Sequence, residues 1–547
     1  MTDRSAATRA PFAAGTVVTS DYLPWARVLA TSFAAHHSGA RLVVALLDEP
    51  EPSRIRDDDP FELVRPAEIG LTGAPYEWMR AIYDGFELSC AVKPWLLRHL
   101  LTGADAALYL DSDILVCDSL APIAERASHA GVVLTPHTLT PLPDDGLLPS
   151  EDTLLRLGQF NAGFVAVGHA GGEFLDWWGE RLARECIGWS ERQPMRFVDQ
   201  RWLDLALNYF PVHVLRDPGA NVAYWNAGTR RLDHGPDGYR VDGEPLRFMH
   251  FSGFDPGRPN VLSKHAGEPP RADARTCPPL AALCADYAAR LAQAGLDPAT
   301  GGGRPAPELA GAFPLTPPVR AAVRAALVAT ERAAGMPAPD PGDAAAVLTW
   351  LRAPATAGAT SWYLLGLHAS HIDVSRAFPQ VPGGDEERYQ AWSAREGVAF
   401  GLVPLGLGGG APAVALDDAR AFVALVNVGE LLSDPGLFAG LADSLSAADD
   451  VTIVIHDPGR TPAAFAEALQ PLLEALGLDG PGAPDLLGLL QPAGPAAVAP
   501  LAHAVLTRRV VPEGLAHLPR AADPAALRRL AEGAASPRRL PAAGHVQ

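Results

Sequence analysis

Short unbroken apolar runs alternate with longer stretches of helical spacing through the first half of the chain. Residues 16–20 read as a strand. Residues 22–37 follow with Trp25, Val28, Leu29 and Phe33 at helical spacing, and 41–47 form a second buried run closed by Asp48-Glu49-Pro50. This β-α-β opening predicts a nucleotide-binding sheet, although without GxGxxG it carries no dinucleotide fingerprint. The same reading gives a strand over 61–64, two helices within 76–101, and a strand over 106–110. It then gives a helix over 120–130 and a strand over 132–134. A further strand begins at Asn161, helices cover 173–186 and 200–207, and a last strand covers 246–251. Residues 136–158 form a long connection rich in Pro and Asp, a length that in compact domains usually marks function. An acceptor-side wall or a lid is expected there.

From 269 the composition shifts. A helix is expected over 280–294 and a Gly/Pro linker over 296–307, then helices over 318–334, 343–351, 361–369 and 385–397. Beyond a glycine-rich stretch lie apolar runs at 422–426 and 451–455, with helices expected over 434–447 and 461–476. They predict a small βαβ-type domain. Its strand ends carry Asn427 and His456-Asp457, without a phosphate loop or paired acids nearby in sequence. The expected partition is 1–295 for the first α/β domain, 296–400 for a helical region, 401–535 for the small α/β domain, and a disordered tail over 536–547. No internal repeat is present.

The five apolar residues 106–110 end in Asp111-Ser112-Asp113. The carboxyl end of a buried strand is where open α/β sheets bind ligands. Two carboxylates so close call for a cation or a shared proton. Mn²⁺ or Mg²⁺, held by carboxylates and substrate phosphates, is the natural partner. His250, at the end of the last strand, is placed to complete the shell with a neutral imidazole.

Composition narrows the classes. The chain has 547 residues, enough for about two to four domains, and is 48% hydrophobic and 20% charged. A net charge of −19 argues against nucleic acid or an anionic membrane as the main partner. Residues 1–15 lack the apolar core of a signal peptide. The most apolar long window, 399–416, holds Pro404, Pro412 and three consecutive glycines, which argues against a membrane helix. Five cysteines without a CxxC fit a reduced cytoplasm better than a disulfide framework.

Four segments in order, Asp111-Ser112-Asp113, Asn161-Ala162-Gly163, Asp199-Gln200 and His250 with Gly253, resemble the motifs of the family 8 glycosyltransferases over residues 15–265. The resemblance implies a GT-A fold, a Rossmann-like mixed sheet, and a nucleotide-sugar donor, with retention at the anomeric carbon. It implies metal ligation by Asp111, Asp113 and His250, and base recognition by Thr19, Asp21 and Tyr22. Donor contacts are implied at Ser112, Asn161, Ala162, Gly163 and Gly253, with Lys93, Asp199 and Gln200 as catalytic residues. A family lysine that contacts the diphosphate is replaced here by Pro256, so Arg258 or Lys264 would have to supply its charge. The acceptor, whether glycan, lipid-linked sugar or protein, is left open. The segment 372–379 with Tyr389 and Trp392 resembles accessory helical regions found beside such domains in multidomain bacterial proteins. Two other readings stand beside the transferase: a non-catalytic nucleotide-sugar or glycan binder, and a sugar-nucleotide pyrophosphorylase, whose Gly-rich N-terminal signature the 19–25 loop lacks.

Overall fold

A computed structural model describes residues 9–49, 54–188, 196–296, 313, 315–334, 338–355, 360–398, 400–404, 407, 419–420, 422–457, 460, 462–490, 502–511, 515 and 518–533. The chain divides into two compact units, 1–307 and 308–547. The expected linkers fall almost wholly, and the tail after 534 wholly, outside the described residues.

The first unit opens with β1 (Ala13–Val18), α1 (Leu23–His36), β2 (Leu42–Leu46) and β3 (Glu62–Val64). Three helices follow where two are expected: α2 (Gly73–Ile82), α3 (Gly85–Ala91) and α4 (Lys93–Leu101). The extra break comes at Asp84, whose carboxylate caps α3 by accepting the Glu87 N–H at 2.8 Å. Pro94 sits in the first turn of α4, where its missing N–H costs nothing, so it begins a helix. Next come β4 (Ala106–Leu110), β5 (Ile114–Val116), α5 (Ala121–Ala130), β6 (Val132–Pro136), α6 (Glu151–Leu157), β7 (Phe160–Gly168), α7 (Gly172–Glu185), α8 (Gln200–Tyr209) and β8 (Val212–Val214). A small antiparallel ribbon is made by β9 (Leu232–Gly235), β10 (Gly238–Val241) and β11 (Glu244–Pro245), and the unit closes with β12 (Phe248–His250) and α9 (Pro278–Gln293). The last strand is shorter than the 246–251 expected, because only three residues pair with β5.

The main sheet has the order β3-β2-β1-β4-β7-β6-β8. All neighbours are parallel except those of β7, which runs against β4 and β6. The expected α/β class and mixed sheet are thus what the chain has. The reversal of β7 brings its first residues to the same edge as the last residues of β1 and β4. Leu110 pairs with Phe164, and the Asp111 N–H donates to Gly163 O at 2.8 Å. Separately, β12 pairs antiparallel with β5, placing His250 opposite Ile114. Behind β12, Phe251 stacks flat on Tyr287 of α9 at 3.9 Å. Such fully buried rings and leucines each contribute about 1.5–3 kcal/mol, so the strand carrying His250 rests on a firm apolar base.

The 136–158 connection is fastened rather than loose. Arg271, 5% exposed, donates to the carbonyls of Pro143, Leu147 and Pro149 and forms a two-pronged ion pair with Asp145. One guanidinium thereby ties residues 143–149 together, and 151–157 of the expected connection form α6.

The second unit begins with α10 (Pro317–Ala334), α11 (Ala344–Arg352), α12 (Trp362–Ser370), α13 (Ile372–Ala377) and α14 (Glu386–Trp392). Gly366 lets α12 press on α10, since a Cβ there would lie 2.2 Å from Ala322 O. The α/β part holds β13 (Phe422–Asn427), α15 (Val428–Ser433), α16 (Leu441–Ser444), β14 (Val451–His456), α17 (Pro462–Ala475), β15 (Asp485–Leu489), β16 (Ala504–Leu506), β17 (Arg520–Ala521) and α18 (Pro524–Gly533). The single helix expected over 434–447 is instead a 3₁₀ turn, Pro435–Phe438, and the four-residue α16. Gly440, at φ 73°, breaks it.

Candidate active site

Asp111 and Asp113 leave the end of β4, and His250 reaches them from β12. Nε2 of His250 lies 3.1 Å from Asp113 Oδ1 and 3.8 Å from Asp111 Oδ2. One ligand atom from each of the three falls within 4.8 Å of the others. The imidazole is aimed by Asn221, whose Oδ1 stands 3.2 Å from Nδ1. With the proton on Nδ1, Nε2 is left to face the carboxylates. Burial alone would lower the His250 pKa, but the two carboxylates outweigh it and the value is raised.

Gly163, opposite Asp111, keeps the space open. A Cβ at this position would lie 2.3 Å from His250 Cε1 and 2.7 Å from Asp111 Oδ2. Two hard carboxylates, one oriented imidazole and a neighbour that cannot carry a side chain fit a small divalent ion with open positions for substrate oxygens. Gly163→Ala is expected to leave the strand intact, as judged by circular dichroism. By titration of Mn²⁺ it should weaken ion affinity at least about tenfold, because displaced ligand supports cost 10–100-fold in metal sites.

Lys93 is not a solvated helix lysine. Its side chain, 3% exposed, lies 2.9 Å from Asp199 Oδ2 and 3.3 Å from Asp111 Oδ1. Its Nζ also donates to Ala162 O at 3.0 Å and sits over the Tyr109 ring. Burial pulls its pKa down, but the two carboxylates more than reverse this and hold it well above the ordinary lysine value. The same cation, with His250 and the Tyr109 hydroxyl at 2.8 Å, outweighs burial at Asp111 and lowers its pKa. At Asp199 burial wins and the pKa is raised. Asp199 occupies the N-cap position of α8 but makes no side-chain cap bond, so helix capping does not account for it. Its neighbour Val198 has φ 41°, a left-handed value that costs a β-branched residue of order 1–3 kcal/mol. The Val198 N–H donates to Ile187 O at 2.7 Å, which helps hold that turn.

Gln200 is fully engaged. Its Oε1 accepts from Asn161 Nδ2 at 3.1 Å and from the Ala162 N–H at 3.2 Å, while Nε2 donates to Leu157 O. Asn161 Oδ1 in turn accepts from the Gly163 N–H and from Asn221 Nδ2, and Asn221 Nδ2 also donates to Thr135 Oγ1. One buried network therefore runs from Thr135 through Asn221 and Asn161 to Gln200. Asn221, at φ 52°, adopts a conformation that Asn tolerates well. Sequence reasoning missed Asn221, because an Asn in a Gly-Ala loop carries no signal. It also read Tyr109 only as part of an apolar strand, although an aromatic hydroxyl directly before two acids is a legible hint.

The expected base-recognition residues follow β1. Tyr22 is half exposed and packs against Trp25 at 5.0 Å. Its phenol pKa is raised by burial and by the charges of Asp113 and Asp21. Asp21 is paired with Arg54 at 2.6 Å, and Thr19 is half-buried. Ser112 is half-buried between the acids. On the loop after β12, Gly253 has φ 71° and its carbonyl accepts the backbone N–H of Lys264 at 3.0 Å, while the Lys264 side chain is exposed. Arg258 is turned to Asp255 at 3.1 Å in solvent. The structure thus gathers Lys93, Asp111, Asp113, Asn161, Gly163, Asp199, Gln200 and His250 into one contact set.

No family model matches the chain. Two curated relatives, both from Bacillus subtilis (strain 168), are similar over about a third of it. The uncharacterized protein YfnF is 33% identical over 185 residues, 31% of this chain and 58% of its own length. The uncharacterized protein YfnD is 30% identical over 174 residues, 31% of this chain and 54% of its own length. The chain thus spans about half the length of the curated relatives it matches. Among solved structures it is similar to the galactosyltransferase LgtC, solved with donor and acceptor sugar analogues (15% identity, 50% of this chain and 95% of that one, TM-score 0.31). It is also similar to the glycosyltransferase GlyE of Streptococcus pneumoniae TIGR4 (13% identity, 94% and 91%, TM-score 0.32). A third is mouse xyloside xylosyltransferase 1 (12% identity, 44% and 96%, TM-score 0.28). Among the described residues no helix is long and apolar enough to cross a membrane.

Proposed function

We propose that the chain is a metal-dependent retaining glycosyltransferase that moves a hexose from a nucleotide sugar, a UDP-hexose, to an acceptor hydroxyl. The observation that carries this reading is the convergence of Asp111, Asp113 and His250 on one small space at the sheet edge. Mn²⁺ or Mg²⁺ held there would offset the charge of a departing diphosphate. Lys93, 3.3 Å from Asp111, favours the ionised form of that carboxyl. Tyr22 offers a half-exposed ring on which a base can stack. The Gln200 carboxamide, saturated by Asn161, Ala162 and Leu157, acts by fixing the 161–163 backbone under the donor sugar. Of the two candidate cations Arg258 is already paired with Asp255, which leaves Lys264 as the one to meet the diphosphate. Asp199 is sealed against Lys93 and is no free nucleophile. The arrangement therefore suits front-face transfer, in which the acceptor hydroxyl attacks beside the leaving group.

A donor panel scored for release of the nucleoside diphosphate tests this reading. UDP release should require Mn²⁺ or Mg²⁺, and proton NMR of the first-formed product should show the donor's anomeric configuration. Release undiminished in chelator, or an inverted anomer, would overturn it.

A further inference from the structure

The small sheet of the second unit has the order β15-β14-β13-β16-β17, with every pair parallel. The chain runs outward from β13 through β14 to β15, then returns to the other side of β13 for β16 and β17. The reversal falls between β13 and β16. In open α/β sheets the crevice beyond the carboxyl ends of the strands at such a reversal is the usual place for a ligand. A cavity of about 190 Å³ lies there, lined by Val426 and Asn427 at the end of β13, Leu506 and Thr507 at the end of β16, His456 at the end of β14, and Arg509.

We propose that this cavity binds a nucleotide, with the base inside and the phosphates against Arg509. Three observations lead there. The first is size. Sites for whole drug-sized ligands run from about 300 Å³ upward, so this cavity takes one ring system and leaves the rest of the molecule at its mouth. The second is the lining. Val426 and Leu506 are buried apolar walls, against which the hydroxyls of a sugar ring would go unpaired and a flat heterocycle would not. Asn427 and His456 supply the few polar atoms that can read a base edge. The Asn427 oxygen is already accepting the Glu430 N–H, which leaves its amide N–H groups as donors.

The third is charge. Buried Glu430 does not face the ligand as a free acid. Its carboxylate accepts the Thr507 hydroxyl at 2.6 Å and the backbone N–H groups of Arg508 and Arg509, fixing the turn after β16. That turn exposes two guanidinium groups of different character. Arg508 is paired with Asp434 at 3.1 Å. Arg509 donates to the Ser433 hydroxyl at 2.6 Å and has no carboxylate partner among the described residues. A fixed guanidinium without a counter-ion at the mouth of an apolar slot suits a phosphate.

The test uses the full chain in EDTA, so that any metal-dependent site in the first unit is silent. The probes are the 5′-diphosphates of adenosine, uridine, guanosine and cytidine, read by calorimetry. At least one should bind with one site per chain, and its parent nucleoside should bind at least tenfold more weakly. Arg509→Glu, at an exposed position, should cost about tenfold or more. Leu506→Trp, checked for cooperative melting, should remove the site by filling it. Asp113→Asn should leave this binding unchanged, which separates it from the first unit's site. The inference fails if none of the four binds in chelator, or if Arg509→Glu binds as wild type. It fails also if glucose 1-phosphate binds as tightly as the nucleotide, or if binding vanishes in Asp113→Asn.

Discussion

Asp113→Asn will abolish measurable sugar transfer and most divalent-ion affinity while the first unit keeps its fold. Its side chain is a quarter exposed and touches His250 Nε2 at 3.1 Å. Exchanging it for an amide removes one of two negative charges from the proposed ion site but fills the same volume. Residues that merely orient a ligand cost 10–100-fold in metal sites when changed, so loss of a direct ligand should cost roughly a hundredfold or more. Stability should move little, because a partly solvated carboxylate pair of this kind contributes about 0–1 kcal/mol. Titration of Mn²⁺, turnover at saturating donor and a melting curve on the same preparation decide the matter. Wild-type turnover would show that Asp113 holds no ion that the reaction needs. A melting temperature lowered by ten degrees would mean that the variant reports on folding instead.

The first unit was legible where a segment buries both faces of a strand or ends in an unusual pair of residues. The 106–110 run and Asp111-Ser112-Asp113 are of that kind, as are the apolar runs that became β1 and β2. What the sequence hid was pairing between distant segments. Strand β5 is three residues long and follows directly on Asp113, so only its antiparallel partner β12 makes it visible. The ribbon of β9 to β11 is short and half exposed, without an apolar alternation to betray it. Lys93 read equally well as surface or site, because one cation on a helix does not reveal the two carboxylates 18 and 106 positions later. Asn221 was invisible for the same reason: its importance lies in three partners, Thr135, Asn161 and His250, that only the fold brings together. In the second unit the strand-end residues Asn427 and His456 were noticed, but the cavity they share with Thr507 and Arg509 exists only through the strand order.

Lys93→Met should be the most destabilising single change in the first unit's site, and its cost should depend on pH in a defined direction. Methionine nearly matches the volume of lysine and can fill the space over Tyr109, so the effect isolates charge. The change leaves Asp199, 2% exposed, without its cation, and takes from Asp111 its main source of stabilisation. Removing one partner of a buried pair costs about 3–5 kcal/mol, because the other charge stays buried and unpaired. For a unit of this size that is a fall in melting temperature of roughly ten degrees. The sign with pH follows from the shifts. Lys93 has its pKa raised, so its contribution is fully present below the ordinary lysine value and is lost only at strongly alkaline pH. Asp199 also has its pKa raised by burial, so its contribution is fullest below the ordinary carboxylate range and is lost as pH rises through the folded value. Without Lys93 that folded value climbs further. The gap between variant and wild type should therefore be narrow in acid, where Asp199 takes up a proton, and widen toward neutral pH. Lys93→Met combined with Asp199→Asn should recover more than half of the lost stability at neutral pH, since no unpaired buried charge remains at that position. Melting curves of the three proteins from about pH 5 to pH 8 provide the check. A gap that stays constant across this range, or a double variant less stable than the single one, would mean that Lys93 stabilises the unit through packing and not through its charge.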